Sequence, residues 1–192
     1  ENLRAAQEHL KIVNLGATAI GTTVTAAPGY PELAVKNLAE LTGIDFKNSE
    51  DLIAATSDCG AYMTLSSAIK GLAVKMTKVC NDIRLLASGP RCGLKEINLP
   101  QLQPGSSIMP GKVNPVAAEV ANQASFLAIG LDTTVMLAAS AGQLELNVME
   151  PVITFALYTQ MKVMTNACDT LRTKLVEGVT ANTERCKDYV MN

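Results

Sequence analysis

The sequence predicts an all-α fold, a bundle of long helices. Apolar residues recur at three- and four-residue steps over long stretches, which is the spacing of an amphipathic helix. No alternating strand pattern extends beyond a few residues, and turn-forming residues concentrate in one segment rather than between many short elements. Because each long helix must bury an apolar stripe, we expect these helices to pack side by side.

In the first half of the chain, residues that cap or end helices predict three helices. Residues 1–13 are typical of a helix, and Pro31 stands at the start of a second helix that Gly43 ends. Ser49 is expected to cap a third helix, whose apolar stripe continues to the turn residues at 88–90. That helix would contain about forty residues and extend roughly 60 Å.

Two further long helices are predicted in the second half. Asn114 is a suitable cap, and apolar residues on several sides of residues 116–138 predict a helix that is buried on several sides. Another long helix is expected after Gly142, with a bend at Pro151. A short helix is predicted from about Asn182 to the end of the chain.

Composition limits the classes of partner. The net charge of −2 and the absence of a lysine or arginine cluster disfavour nucleic acid and anionic membrane surfaces. Glycine and proline interrupt the longest apolar run, and the first residues lack a signal-peptide pattern, so neither a membrane span nor secretion is expected. Charged residues are only 18%, against roughly 25% in an average protein, while 48% are hydrophobic. That surplus predicts helix faces buried against partner subunits.

Cysteine and histidine usage predicts a reducing, cytoplasmic compartment and no metal site. The five cysteines are widely spaced and include no Cys-x-x-Cys pair, and the single histidine cannot complete a zinc site. We expect Cys59, Cys80 and Cys168 to be buried and to pack as small apolar residues.

One segment, QPGSSIMPGKVNP at residues 103–115, contains an unusual density of turn residues. It has three interpretations: a plain helix–helix connection, a phosphate-binding loop, or an active-site loop for an anionic substrate. Five residues rather than four separate Gly105 from Gly111, and Val113 replaces the metal-binding hydroxyl of a phosphate loop. Long connections in compact proteins are usually functional or disordered, and the apolar residues inside this one argue against disorder.

In the active-site interpretation each polar residue has a role. Backbone N–H groups around Ser106 and Ser107 would stabilise negative charge as it develops on the substrate. Lys112 would supply positive charge for a carboxylate, and Asn114 an amide that orients the substrate. Glycines would allow the loop to move as a lid.

The stretch GSSIMPGKVNP resembles the signature G-S-S-x-M-P-x-K-x-N of the fumarase/aspartase superfamily. Two further stretches, ATSDCGAYM at 55–63 and GQLELNVMEPVI at 142–153, are similar to the aspartase branch, and the resemblance extends from Leu10 to Val190. It implies the central helical domain of the family, a homotetramer, no cofactor, and elimination of ammonia from L-aspartate to give fumarate.

The resemblance also implies residue roles. Ser106 would be the base that removes the Cβ proton and leaves an aci-carboxylate. Ser107 would help to hold that charge, and Lys112 and Asn114 would bind the carboxylates of the substrate. A class II fumarate hydratase, with water as the leaving group, is the alternative within the family. A helical oligomerisation fragment without chemistry is the alternative outside it.

The chain departs from the family pattern in several places. The family builds each site from three regions on three subunits, and only the third region is in residues 1–192. We therefore expect a central domain truncated at both ends, without the N-terminal segments and the small C-terminal domain, and inactive alone. His9 lacks the Thr-His context and is assigned no catalytic role, and Thr23-Val24-Thr25 replaces the usual Gly-Leu-Asn.

Overall fold

The structure is a computed structural model that describes residues 1–191. It confirms the all-α prediction, since helices dominate and the strands contain two residues each. The helices of the described residues are α1 Asn2–His9, α2 Tyr30–Thr42, α3 Gly60–Leu86, α4 Val116–Ala139, α5 Glu150–Lys174 and α6 Thr183–Met191. The strands are β1 Ile12–Val13, β2 Lys47–Asn48, β3 Ile97–Asn98 and β4 Thr180–Ala181, and short 3₁₀ turns lie at Ala54–Thr56 and Val176–Gly178.

The chain divides into two compact units. Unit 1 contains Glu1–Ile69 and Gly130–Gln160, and unit 2 contains Lys70–Ile129 and the residues from Met161 onwards. The long helices α3, α4 and α5 each contribute residues to both units.

In unit 1, the first helix is shorter than the sequence predicts. Helix α1 ends at His9, and Ile12 and Val13 form β1, which pairs in parallel with β2. The backbone N–H of Lys47 donates to the carbonyl of Lys11, and that of Ser49 donates to Val13. Branched side chains favour extended backbone, and this long-range pairing replaces the last helical turn.

The prediction of a forty-residue third helix is wrong in its first part. Asp51 Oδ1 accepts the N–H groups of Ile53 and Ala54, which folds this segment into a 3₁₀ turn instead. Helix α3 begins only at Gly60, whose N–H donates to Asp58 Oδ1 at 2.8 Å. Side chains of this type compete with helix for the backbone donors, so α3 has 27 residues.

A buried asparagine connects α4 to α5 in unit 1. Asn147 Nδ2 donates to the carbonyl oxygens of Ala138 at 3.0 Å and Ala139 at 3.2 Å, and its Oδ1 accepts the N–H of Met149 at 2.8 Å. Helix α5 then begins at Glu150, so Pro151 lies in its first turn, where a backbone N–H has no helical partner. The predicted bend at Pro151 is therefore wrong.

A buried carboxylate joins α3 to α4 within the same unit. Ser66 Oγ, which is fully buried, donates to Asp132 Oδ1 at 2.8 Å, and the exposed Ser67 donates to the same oxygen at 3.4 Å.

Unit 2 has a core of small residues and a short antiparallel ladder. Its buried side chains come from α3, α4 and α5 and include Ala73, Cys80, Ala118, Ala121 and Ala167. Strand β3 pairs with β4, with Ile97 opposite Ala181. Asn182 Nδ2 donates to the carbonyl of Lys95, and Asn182 Oδ1 accepts the N–H of Arg185. These bonds fix the start of α6 where the sequence predicts it.

Among the described residues, no helix combines the length and the apolar composition that a membrane crossing requires.

Candidate active site

The candidate loop lies in unit 2, between β3 and α4. Near its tip, the carbonyl of Met109 accepts the N–H of Lys112 at 3.2 Å, which closes a four-residue turn. Pro110 and Gly111 occupy the two central positions, and Gly111 has a φ of +79°. A turn with proline first and a left-handed residue second requires glycine at that second position. The residue order Met-Pro-Gly-Lys therefore specifies this turn directly.

The base of the loop is closed by a backbone contact. A β-carbon added to Gly105 would lie 2.5 Å from the carbonyl oxygen of Lys112, which is shorter than any ordinary contact. Only glycine allows the two ends of the segment to approach this closely. Residues 105–112 thus form a closed loop, and Ser106 and Lys112 lie at its two ends.

Backbone N–H groups of the loop bind the side chain of Ser106, its second residue. Its Oγ accepts the backbone N–H groups of Ile108 at 3.2 Å and Met109 at 3.0 Å. Two donors directed at one hydroxyl oxygen stabilise negative charge there. Fewer backbone N–H groups are therefore left to stabilise charge on a substrate than the sequence predicts, because these two N–H groups donate to Ser106 Oγ. The N–H groups of Ser106 and Ser107 donate to no atom of the described residues.

The other two candidates lie at the end of the loop. Lys112 is half-buried and its ammonium makes no ion pair with any residue that the structure describes. Asn114 is also half-buried, just before α4, where it lines a narrow pocket of about 10 Å³ with Pro100 and Leu175. Ser107 is exposed. The fold therefore brings the four candidates onto one closed loop and its junction with α4.

A cavity of about 420 Å³ adjoins the tip of this loop. One wall is the turn after α3, formed by Gly89, Pro90, Arg91 and Cys92, and the other is formed by Ile108, Met109 and Pro110. Arg91 is exposed, and among the described residues that line the cavity it is the only one with a charged side chain. Sequence reasoning did not identify Arg91, because a single arginine in a turn belongs to no pattern that links it to a loop fourteen or more residues away.

A second cavity, of about 370 Å³, lies within unit 1. His9, Asn14, Asp58, Tyr62 and Glu150 are among its lining residues. Burial, then the negative charge of Glu150, and then Cys59 raise the pKa of Tyr62 above its usual 10.0. His9 is exposed at the end of α1, where no hydrogen bond to another described residue orients its imidazole.

The cysteines are all unpaired. Cys59 and Cys80 are buried, as predicted, and burial raises the pKa of both thiols. The prediction is wrong for Cys168, which is exposed on α5.

Comparison with known proteins gives close matches over the whole chain. The aspartate ammonia-lyase of Escherichia coli (strain K12) is 59% identical over all 192 residues, which correspond to 40% of that protein. A fumarate lyase:delta crystallin of Brucella melitensis is 46% identical with a TM-score of 0.94, over 97% of this chain and 40% of the other. The class II fumarase of Schistosoma mansoni is 33% identical with a TM-score of 0.93, over 98% of this chain and 43% of the other.

These matches define both the family and the extent of the chain within it. The chain spans about 40% of the length of the curated aspartate ammonia-lyases that it matches. Residues 1–130 match the family model described as lyase. The chain therefore belongs to this lyase family, within the fumarase/aspartase superfamily.

Proposed function

We propose that the full-length protein containing this chain is an aspartate ammonia-lyase, which converts L-aspartate to fumarate and ammonia. The observation that carries the proposal is the closed loop 105–112, in which Ser106 Oγ accepts two backbone N–H groups. The identity of 59% to the aspartate ammonia-lyase of Escherichia coli supports ammonia as the leaving group. Residues 1–192 are, in this proposal, the central helical domain and carry one part of each site.

In the proposed mechanism Ser106 acts as the base. A serine hydroxyl is a weak base until its alkoxide is stabilised, and the N–H groups of Ile108 and Met109 supply that stabilisation. Once the hydroxyl proton has left to solvent, the alkoxide takes the proton from Cβ, and the electron pair of the broken C–H bond moves into the adjacent carboxylate to give an aci-carboxylate. That pair then forms the Cα–Cβ double bond as the Cα–N bond breaks and ammonia leaves.

The other three candidate residues are proposed to bind the carboxylate groups of the substrate. The N–H of Ser107 has no partner among the described residues and is proposed to stabilise the aci-carboxylate. Lys112 is proposed to pair with a substrate carboxylate, because its ammonium makes no ion pair with the residues that the structure describes. Asn114, two residues before α4, is proposed to orient the same substrate through its amide.

We also propose that the full-length protein is a cytoplasmic homotetramer. Large apolar side chains are exposed on α4 and α5, among them Phe126 at 56% and Phe155 at 64%. Exposed apolar surface of this kind is usually covered by another protein surface, and a second copy of the chain is the occupant that the family resemblance implies. Five unpaired cysteines are consistent with a reducing compartment. The net charge of −2 favours no nucleic acid partner.

The experiment that tests the proposal measures fumarate by its ultraviolet absorbance. The full-length protein is incubated with L-aspartate in one cuvette and with L-malate in another. Fumarate from L-aspartate alone is the expected result. Fumarate from L-malate alone would instead support the class II fumarase alternative. The basis of that alternative is the 33% identity to the class II fumarase of Schistosoma mansoni.

The same assay tests the third alternative. A helical oligomerisation module without chemistry would give no fumarate from either compound, even in a correctly folded full-length protein. Residues 1–192 alone are expected to give little or no fumarate, because the remainder of each site lies outside them.

A further inference from the structure

We propose that Arg91 is a further substrate-binding residue, which attracts a carboxylate group of the substrate into the cavity beside the loop tip. This inference rests on the proposed function, since it concerns how a dicarboxylate reaches that same loop. It goes beyond the four loop residues, because Arg91 lies on a different segment, the turn after α3.

The cavity carries charge of one sign. Of its seven lining residues, Arg91 alone is charged, and no aspartate or glutamate is among them. Its guanidinium forms no ion pair or hydrogen bond with another described residue. An unpaired guanidinium is a strong donor for carboxylate, with which it forms two parallel hydrogen bonds.

The walls of the cavity are mostly uncharged. Five of the seven residues that line the cavity, Pro90, Cys92, Ile108, Met109 and Pro110, carry uncharged side chains built of carbon and sulfur. A cleft with charge of one sign and walls of low polarity concentrates the electric field and raises the local concentration of an oppositely charged ligand. The cavity volume of about 420 Å³ also leaves ample room for a four-carbon dicarboxylate.

A dicarboxylate substrate needs more than one cationic partner. A dicarboxylate carries two negative groups, whereas the loop itself supplies one cation, Lys112. Ile108 and Met109 connect the two sites, because they line the cavity and donate their N–H groups to Ser106 Oγ. A carboxylate that is attracted by Arg91 is therefore brought to the segment that holds the proposed base.

The test uses the full-length protein and the fumarate assay with L-aspartate. Arg91→Gln is expected to raise KM roughly fivefold at low salt and to leave kcat within twofold, because the lost attraction is that of one solvent-accessible charge. The effect is expected to disappear at about 1 M salt, where charges are screened beyond about 3 Å. Arg91→Lys, which keeps the charge, is expected to recover most of the wild-type KM.

A matched variant serves as the control. Arg4→Gln removes an exposed arginine of α1, which lies outside the cavity. It is expected to keep the wild-type KM. The inference is overturned if Arg4→Gln raises KM as much as Arg91→Gln does, if the effect of Arg91→Gln is the same at low and high salt, or if the loss is in kcat alone.

A binding measurement separates this inference from the proposed function. Succinate, a non-reacting dicarboxylate, is titrated calorimetrically into the wild-type protein and Arg91→Gln. Roughly fivefold weaker binding to the variant supports the role of Arg91 even if L-aspartate yields no fumarate. Equal affinities overturn that role even if the wild-type enzyme produces fumarate from L-aspartate.

Discussion

Gly105 lies against the backbone of Lys112, so that a β-carbon on residue 105 would approach the Lys112 carbonyl oxygen to 2.5 Å. This contact closes the loop that contains Ser106 and holds its two ends in register. The position of the proposed base relative to the proposed carboxylate-binding lysine therefore depends on the absence of a side chain at residue 105.

Gly105→Ala is accordingly expected to lower kcat. The methyl group must displace the Lys112 carbonyl, and a displacement of about 1 Å at a reacting group costs up to about a hundredfold in rate. We expect a loss between roughly tenfold and a hundredfold, measured as fumarate formation by the full-length protein. Gly71→Ala in α3 is the control, because no atom lies within 4 Å of its added β-carbon. Equal kcat values for Gly105→Ala and wild type would show that the contact does not position the loop.

Asn147→Ala is expected to lower the free energy of unfolding by about 2–3 kcal/mol. The variant leaves the carbonyl oxygens of Ala138 and Ala139 and the N–H of Met149 without their partner in a buried position. Urea denaturation at a fixed protein concentration measures the change. Asn37→Ala, at an exposed position of α2, is the control and is expected to change stability by less than about 0.5 kcal/mol. A loss of the same size in both variants would contradict this account.

Ser66→Ala and Ser67→Ala form a second matched pair. Both hydroxyls donate to Asp132 Oδ1, but Ser66 is fully buried with a 2.8 Å bond, whereas Ser67 is exposed with a 3.4 Å bond. Because Asp132 is itself buried, the loss of the shorter bond is expected to cost about 1–2 kcal/mol. The loss of the longer bond is expected to cost less than about 0.5 kcal/mol. Thermal unfolding of the two variants gives the comparison, and the reverse order would be incompatible with the geometry.

Stability is expected to fall above about pH 9 because of the buried thiols. Burial raises the pKa of Cys80 from its usual 9.0, an effect only partly opposed by Arg84. In the unfolded chain the thiol ionises near its usual pKa, while in the folded protein it remains neutral. The unfolded state therefore releases protons first, and the free energy of unfolding decreases as pH rises towards the folded pKa.

The contribution of Cys80 is isolated by comparison of variants. The difference in unfolding free energy between about pH 8 and about pH 10 is expected to be smaller in Cys80→Ala than in wild type. Cys92→Ala removes an exposed thiol and is expected to keep the wild-type difference. If Cys80→Ala also kept the full wild-type difference, burial of this thiol would not be a source of the pH dependence.

The sequence predicts the helix ends best where the residue type at the boundary is compatible with only one local structure. Gly43 ends α2 with a φ of +70°, and Asn182 caps α6 through its side chain, both as the residue types indicate. The prediction fails where a long-range contact decides. Ile12 and Val13 leave the helix because β2, more than thirty residues later, pairs with them.

The errors near Asp58 and Pro151 have a related cause. Both residues are compatible with a helix that continues and with a helix that begins. In the structure the backbone of Thr56 accepts the N–H of Asn147, and Asn147 also fixes the end of α4. Local bonds from Asp58 and Asn147 start α3 and α5, and the tertiary bond between Thr56 and Asn147, which no local pattern displays, accompanies them.

The candidate loop was predictable because its residues are contiguous. Gly105, Pro110 and Gly111 have backbone requirements that can be recognised in the sequence, and the loop has the closed form that they imply. The hydrogen bonds from the backbone N–H groups of Ile108 and Met109 to Ser106 Oγ were not predictable. The identity of an apolar side chain does not indicate the direction of its backbone N–H. Arg91 was not predictable either, since only the fold places it beside the loop tip.

The most direct test of the central claim is the turnover of Ser106→Ala in the full-length protein with L-aspartate. The account predicts a loss of kcat between roughly 10² and 10⁴, as expected for removal of a general base. Calorimetric binding of succinate to the same variant is expected to be retained, which shows that the loop still forms. Ser107→Ala, whose backbone N–H remains in place, is the control and is expected to keep most of the activity. A Ser106→Ala variant with near-normal kcat would contradict the assignment of Ser106 as the base.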